Sequence, residues 1–542
     1  MGAANIAGNQ PLATGAAMQG RKKPAEPQLF IYHDPYAQLP RNPFYDALAK
    51  HLDLEWVREA TRGLYAEAIG RPSLDPVVFV KLMLVGFFEN VVGDSELAFR
   101  VADSLTARRF LGYSLQDQLP ERTTILKTRQ RWPEEVFKAI FMRVLEQLKQ
   151  AGLIRGEHLA TDTLLVDANA SMNSLRHREL GCTYHQFVKA LYAQEGQPPS
   201  ASEIATKDAA RPNKASNADW VSATDPEAAV AQHRDGHTAL SYRLDATVDL
   251  DTGAIVQIGA VPADVRDSED LPQRLDEAKE NLAELGLTPK ALTGDRGHFS
   301  EENLVEIEAA GVTPIIRAPT PAGKRGFRAD DFTYDAESDC YRCPAGAALR
   351  RKGWGNHGRA RYQARASDCR RCAHCGMCTK SRRGRVIDRA VHQGHLERNR
   401  ARVRSPGGRE LLMRHRHCAE APWSYAKLYG GLARINTRGV ANAAKKALIQ
   451  GIGWNLMKLV AHLTGLVPRG KSAAGKGYAG WGRVIVVVCA HIRCFGALMG
   501  HYGALIAHHG VLPNLWLRQR LRRRRTQQTP NLSRKRLLSQ AC

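Results

Sequence analysis

Residues 158–168 read HLATDTLLVDA and residues 291–304 read ALTGDRGHFSEENL. The first mixes apolar and short polar residues in the β-favouring way, which predicts a strand holding an aspartate, Asp162, where propensity disfavours one. The second predicts a short strand, Ala291 to Gly294, ending on Asp295 just before Arg296-Gly297, and then a helix from Glu301 to Ala310. Between them, two strand candidates, Ala239 to Leu250 and Ala254 to Ala263, are joined by Asp251-Thr252-Gly253, a good hairpin turn. A helix over Ser268 to Leu285 and a strand over Thr313 to Arg317 complete the run. The order β, β, β, α, β, α, β with the hairpin first predicts an α/β fold, a mixed sheet flanked by helices. Asp295 then stands at a carboxyl end of the sheet, where α/β ligand sites form, with a capping or turn aspartate as the competing reading.

Upstream, residues 1–40 read as a disordered lead-in, and residues 41–150 as an all-helical unit with apolar residues at helical spacing. Asp75 to Asn90 is apolar almost all round, as in a central buried helix. Ser95 to Phe110 and Thr124 to Trp132 predict shorter helices with basic faces (Arg108, Arg109, Lys127, Arg129, Arg131). These faces suit either a helix-turn-helix-like DNA contact or plain solvation.

The 542 residues carry a net charge of +24, with 43% hydrophobic content, which predicts two or three domains and a polyanionic partner, nucleic acid before an anionic membrane. No apolar run marks the first 40 residues, so secretion is not expected, and the cysteine usage fits a reducing cytoplasm. After Glu420 there is no Asp or Glu, but there are 20 Lys and Arg. Any acidic catalytic group therefore lies at or before Glu420. Residues 466–542 read as a basic tail: a linker (Pro468 to Gly482), an apolar run (Val484 to Leu512) interrupted by Arg493, His and Gly and so expected to pack rather than span a membrane, and a cluster from Arg518 to Arg536 able to grip phosphate.

Transfer of phosphodiesters needs an attacking oxygen activated at one metal and a leaving oxygen stabilised at a second about 4 Å away, with carboxylates between them. A third acid to join Asp162 and Asp295 comes from residues 414–427, RHRHCAEAPWSYAK. Arg416, Glu420 and Lys427 are offset along a helix by about 40° and −20° at 100° per residue, so they share one face. A carboxylate between two cations suits metal and phosphate oxygens, and an ordinary Arg–Glu surface pair has the same spacing.

From about Pro43 to Leu463 the sequence resembles the DDE transposases of bacterial insertion sequences, in the branch with a cysteine-rich insertion that includes the eleven-eighty-two group. Three motifs carry the resemblance in order: DTLLVDANAS from Asp162, ALTGDRGHFSEENL around Asp295, and Arg-x3-Glu-x6-Lys at Arg416, Glu420 and Lys427, followed by Arg438-Gly439 and Trp454-Asn455-Leu456. The resemblance implies an RNase H-like core (155–330 and 381–465) and catalysis by Asp162, Asp295 and Glu420 holding two Mg²⁺ or Mn²⁺ ions. It also implies phosphate contacts by Arg416 and Lys427, DNA partners in the terminal inverted repeats and the target, and a homodimer in the active complex. The departures are Met413 in place of a common tyrosine, His298 where tyrosine usually follows Gly297, and Lys446 where an acid is often found. A nuclease that hydrolyses without joining, and an inactive zinc-containing repressor derived from a transposase, are the alternative readings.

Six of the eleven cysteines fall within 340–378. Cys340-x2-Cys343 and Cys369-x2-Cys372 have the spacing of a closed, structural Zn²⁺ site in a small insertion at 331–380. Cys375 and Cys378 leave the second knuckle open to other pairings, with Cys378 as a substitute ligand.

Overall fold

The computed structural model describes residues 41–66, 73–193, 200–211, 214–319, 326–355 and 358–466. The expected lead-in and the tail beyond residue 466 lie outside them.

The described chain opens with α1 (Pro43–His51), α2 (Trp56–Thr61), α3 (Pro76–Phe88), α4 (Asp94–Asp103), α5 (Leu105–Leu111), α6 (Arg122–Arg131) and α7 (Glu134–Gln150). Their starts are written locally. Asn42 and Asp75 accept the first free N–H groups of α1 and α3, and a proline occupies the first turn of each. The single helix expected over 95–110 is two helices, because Ser104 leaves the helical region and its hydroxyl caps α5. α3 is buried almost all round, as its composition requires.

The core follows, with β1 (His158–Asp167), β2 (Leu175–His177), α8 (Tyr184–Ala193), α9 (Ala201–Ala210), β3 (Trp220–Ser222), β4 (Ala229–Gln232), β5 (Thr238–Asp249), β6 (Ile255–Pro262), α10 (Leu271–Glu284), β7 (Ala291–Gly294), α11 (Glu301–Ala309) and β8 (Thr313–Ile316). The main sheet runs β5-β1-β7-β8, with β4 and β6 on successive halves of the outer edge of β5. β5 is antiparallel to β1, while β1, β7 and β8 are parallel. A central first strand, an antiparallel hairpin on one side and two helix-connected parallel strands on the other make an RNase H-like mixed sheet.

A second, antiparallel sheet is inserted next: β9 (Thr333–Asp335), β10 (Cys340–Arg342), β11 (Ala348–Trp354) and β12 (Ala360–Ala364), then α12 (Ala366–Arg370) and β13 (Val386–Arg389). Since β13 pairs with β12, this sheet extends past residue 380. Its small core is Phe332, Tyr341, Leu349, Tyr362 and Ile387. The chain returns to the main core through α13 (Gln393–Arg404), α14 (Pro406–Cys418), α15 (Glu420–Tyr429) and α16 (Val440–Thr464).

α16 is buried from Ala447 to Ala461 and joins the N-terminal helices to the sheet. Glycines permit the approach: a Cβ on Gly453 would lie 2.4 Å from the Phe87 ring of α3, and one on Gly451 3.0 Å from Ile258 of β6 and Phe141 of α7. The Asn455 side chain accepts from Ile255 N and donates to Ile255 O, completing the backbone pairing of β6 (2.9 and 2.8 Å). Asn399 of α13 does the same for Ile316 on β8, at 3.1 and 2.8 Å. No helix among the described residues is long and apolar enough to cross a membrane.

Candidate active site and metal centres

Thr161 and Gly294 are the last matched residues of the parallel β1–β7 ladder. Asp162 and Asp295 each follow by one residue, so adjacent strands deliver two carboxylates side by side. Glu420 comes from the first turn of α15. Asp162 is pushed up to about 7, first by burial and then by the negative charges of Asp295 and Glu420, while Arg234 on the β4–β5 turn acts in the opposite sense. Asp162 therefore feels both other acids, and a half-buried carboxylate beside two more is a site that a hard divalent cation would relieve.

Asp295 behaves oppositely. Burial disfavours its charge, but the His298 ring and the Gly297 N–H outweigh that and hold it down at about 2. His298 Nδ1 donates to Asp295 Oδ1 at 2.6 Å, and Arg274, itself buried, lies 3.4 Å from His298 Nε2. The guanidinium can only donate, so Nε2 accepts and the proton stays on Nδ1. Behind this pair, His415 Nδ1 meets Thr293 Oγ1 at 2.9 Å, and burial lowers His415 to about 4, keeping it neutral. Gly297 lets Asp267 approach, since a Cβ there would lie 2.7 Å from Asp267 Oδ2 and the carboxylate would have to shift.

The single helix expected around Glu420 is divided at Ala419, which keeps helical dihedrals. Pro422 explains the break, because its ring crowds the carbonyl four residues back and it has no N–H to donate. Arg416 at the end of α14 and Glu420 and Lys427 on α15 are nevertheless all exposed. Lys446 does not face the acids. Burial lowers it to about 8, and the charges that act on it are Arg129 and Asp94 of the N-terminal helices. Of the expected basic faces, Arg129 is spent on a buried two-pronged pair with Asp94 at 2.6 and 2.7 Å. Arg131 stacks over the Tyr65 ring.

The cysteines divide differently from the spacing. Cys343, Cys369, Cys372 and Cys378 line one cavity together with Cys375 and His374. Backbone N–H groups of Arg385 and His374 point at the Cys369 and Cys372 sulfurs, each at 3.4 Å. Cys340 lies outside that lining, buried on β10 with its sulfur 3.0 Å from Ser338 Oγ.

Among the described residues one set of three His, Cys, Asp or Glu side chains brings its ligand atoms within 4.8 Å of one another, and it consists of Asp167, His233 and His237. Neither the three acids nor the cysteines are drawn together so closely. Sequence reasoning passed over this trio, although His-x3-His across an Arg-Asp-Gly turn was its visible signal. It also missed the His298–Arg274 support of Asp295, whose signal was the unusual histidine after Gly297.

Two stretches match models of known domains. Residues 33–131 match a transposase domain (DUF772) and residues 342–460 a transposase DDE domain. Among solved structures, the Mos1 transposase paired-end complex with left transposon end aligns at 12% identity over 48% of this chain and 66% of that one, just under two thirds of its length. Its TM-score is 0.15, too low to bear on the fold. No curated protein matches.

Proposed function

We propose that this chain, with its matches to a DUF772 transposase domain and a transposase DDE domain, is a DDE transposase that cuts DNA at the ends of an insertion sequence and joins the freed 3′-hydroxyl to target DNA. The observation that carries this reading is the delivery of Asp162 and Asp295 side by side at the end of the β1–β7 ladder, with Asp295 and Glu420 both acting on Asp162. In this reading the three carboxylates hold Mg²⁺ or Mn²⁺, an all-oxygen donor set suited to hard cations. The bound ions supply the positive charge that favours attack and departure of phosphate-bound oxygens. The protein contributes position: the strand ladder sets Asp162 against Asp295, and His298 keeps Asp295 ionised and turned. Arg416 and Lys427, exposed on the Glu420 side, bind phosphate oxygens of the terminal repeat or the target. Two copies of the chain would act on the two paired ends.

We assign the structural Zn²⁺ to Cys343, Cys369, Cys372 and Cys378, four of the five thiols that line one cavity, of which Cys369 and Cys372 also receive the knuckle N–H contacts and Cys378 feels the charges of the other three. Cys340 is left out.

The test is nicking of terminal-repeat DNA with Mg²⁺ by wild type and by Asp162→Asn, Asp295→Asn and Glu420→Gln. Each variant should lose cleavage by at least about a thousandfold while gel-shift binding stays near wild type. Wild-type nicking by any one removes that residue from the site, and no cleavage by the wild-type chain with either ion sinks the proposal. Metal analysis should find Zn²⁺ retained in Cys340→Ser and lost in Cys372→Ser.

A further inference from the structure

We propose that Asp167, His233 and His237 form a binding site for a first-row divalent transition cation of the zinc class, separate from the three acids. Asp167 ends β1, and the two histidines flank the Arg234-Asp235-Gly236 turn between β4 and β5. The turn is closed by backbone bonds from His233 N to His237 O (2.8 Å) and from Gly236 N to His233 O (2.9 Å). This closure stacks the rings with centroids 4.1 Å apart and planes 17° from parallel. Each ring aims Nε2 at the same atom, Asp167 Oδ1, from 3.2 Å for His233 and 3.3 Å for His237.

His237 Nδ1 lies 2.6 Å from Asp235 Oδ1, and His233 Nε2 also meets Ser241 Oγ at 2.9 Å. The three ligand atoms lie within 4.8 Å of one another, and one divalent cation would accept both Nε2 lone pairs and Asp167 Oδ1. Metal–nitrogen bonds of about 2.0–2.1 Å put neighbouring donors of a four- to six-coordinate ion roughly 3.0–3.4 Å apart, which matches the two measured edges. The Asp235–His237 contact is the carboxylate–histidine support that orients metal-bound imidazoles.

Two imidazoles and one carboxylate favour zinc and its neighbours over magnesium, which prefers oxygen ligands and keeps its waters. Such an ion would clasp the β4–β5 turn to the end of β1 and retain open positions for water or a phosphate oxygen. Position makes this consequential: Lys427 is close enough for its charge to act on His233, and Arg234, within the same turn, acts on Asp162. The clasp would hold Arg234 and the border of the acidic site in place.

Carbethoxylation of the full-length protein, read residue by residue by mass spectrometry, tests this without interference from cysteine-bound zinc. Low-micromolar Zn²⁺, added over saturating Mg²⁺, should slow modification of His233 and His237 by about tenfold or more and leave other exposed histidines unchanged. Asp167→Asn should abolish the protection. If that variant misfolds by circular dichroism, His237→Gln, at a half-exposed turn position, should remove the protection of His233. Equal modification rates with and without Zn²⁺ in the wild type, or protection that survives in the folded variant, would overturn the site.

Discussion

His298 donates its Nδ1 proton to Asp295 across 2.6 Å from a position with no solvent exposure. With Arg274 at its Nε2, the buried imidazole has its remaining proton aimed at the carboxylate. His298→Ala should leave Asp295 ionisable but unaimed. The expected result is a rise of about 10- to 100-fold in the Mg²⁺ concentration for half-maximal nicking, with DNA binding near wild type. A magnesium titration of nicking rate checks it, and an unchanged midpoint would show that the bond does not position the carboxylate.

Gly453 of α16 touches the Phe87 ring so closely that a methyl group has no room. Gly453→Ala should destabilise the chain by roughly 1–3 kcal/mol through overpacking, despite the better helix propensity of alanine. Adding Phe87→Leu should restore part of the loss. Urea denaturation of the two variants and their parent measures both effects, and additive losses would refute the steric account.

Lys446 is a buried base whose folded pKa, about 8, lies below its ordinary value of 10.5 because of burial and then Arg129. Between these two values the unfolded chain holds a proton that the folded chain does not, so stability rises with pH across that window. Below pH 8 the folded protein bears the full cost of the buried ammonium. Lys446→Met should therefore stabilise the protein at pH 7 by roughly 1–3 kcal/mol, and the gain should shrink as pH approaches 10.5. Thermal unfolding of both proteins across that range decides it. A gain independent of pH would mean that packing, not charge, is responsible.

Period-two and helical patterning gave the order of elements from Asp162 to Arg317 because those segments alternate against a single core. The three acids of the proposed site could be singled out since each sits in a motif with a local signature. Long-range pairing was not. Nothing local tells that Arg129 is consumed by Asp94, that Lys446 faces the N-terminal helices, or that Cys340 is outside the lining of the cavity that holds Cys343 and Cys378. The break at Ala419 was visible in Pro422, but it was obscured by the helical spacing of Arg416, Glu420 and Lys427. The β4 strand, His233 and His237 lie among polar residues, where pairing to β5 rather than apolar alternation makes the strand, and only that pairing brings the two histidines to Asp167.

Asn399 and Asn455 occupy rungs on two outer strands of the main sheet, β8 and β6, that a neighbouring strand would otherwise take. Outer strands with free amide and carbonyl groups are templates for strand addition and aggregation. Here the amide side chains from α13 and α16 take both the N–H and the C=O of one residue on each strand, so each edge is interrupted at that rung and is a poorer template for a second copy of the chain.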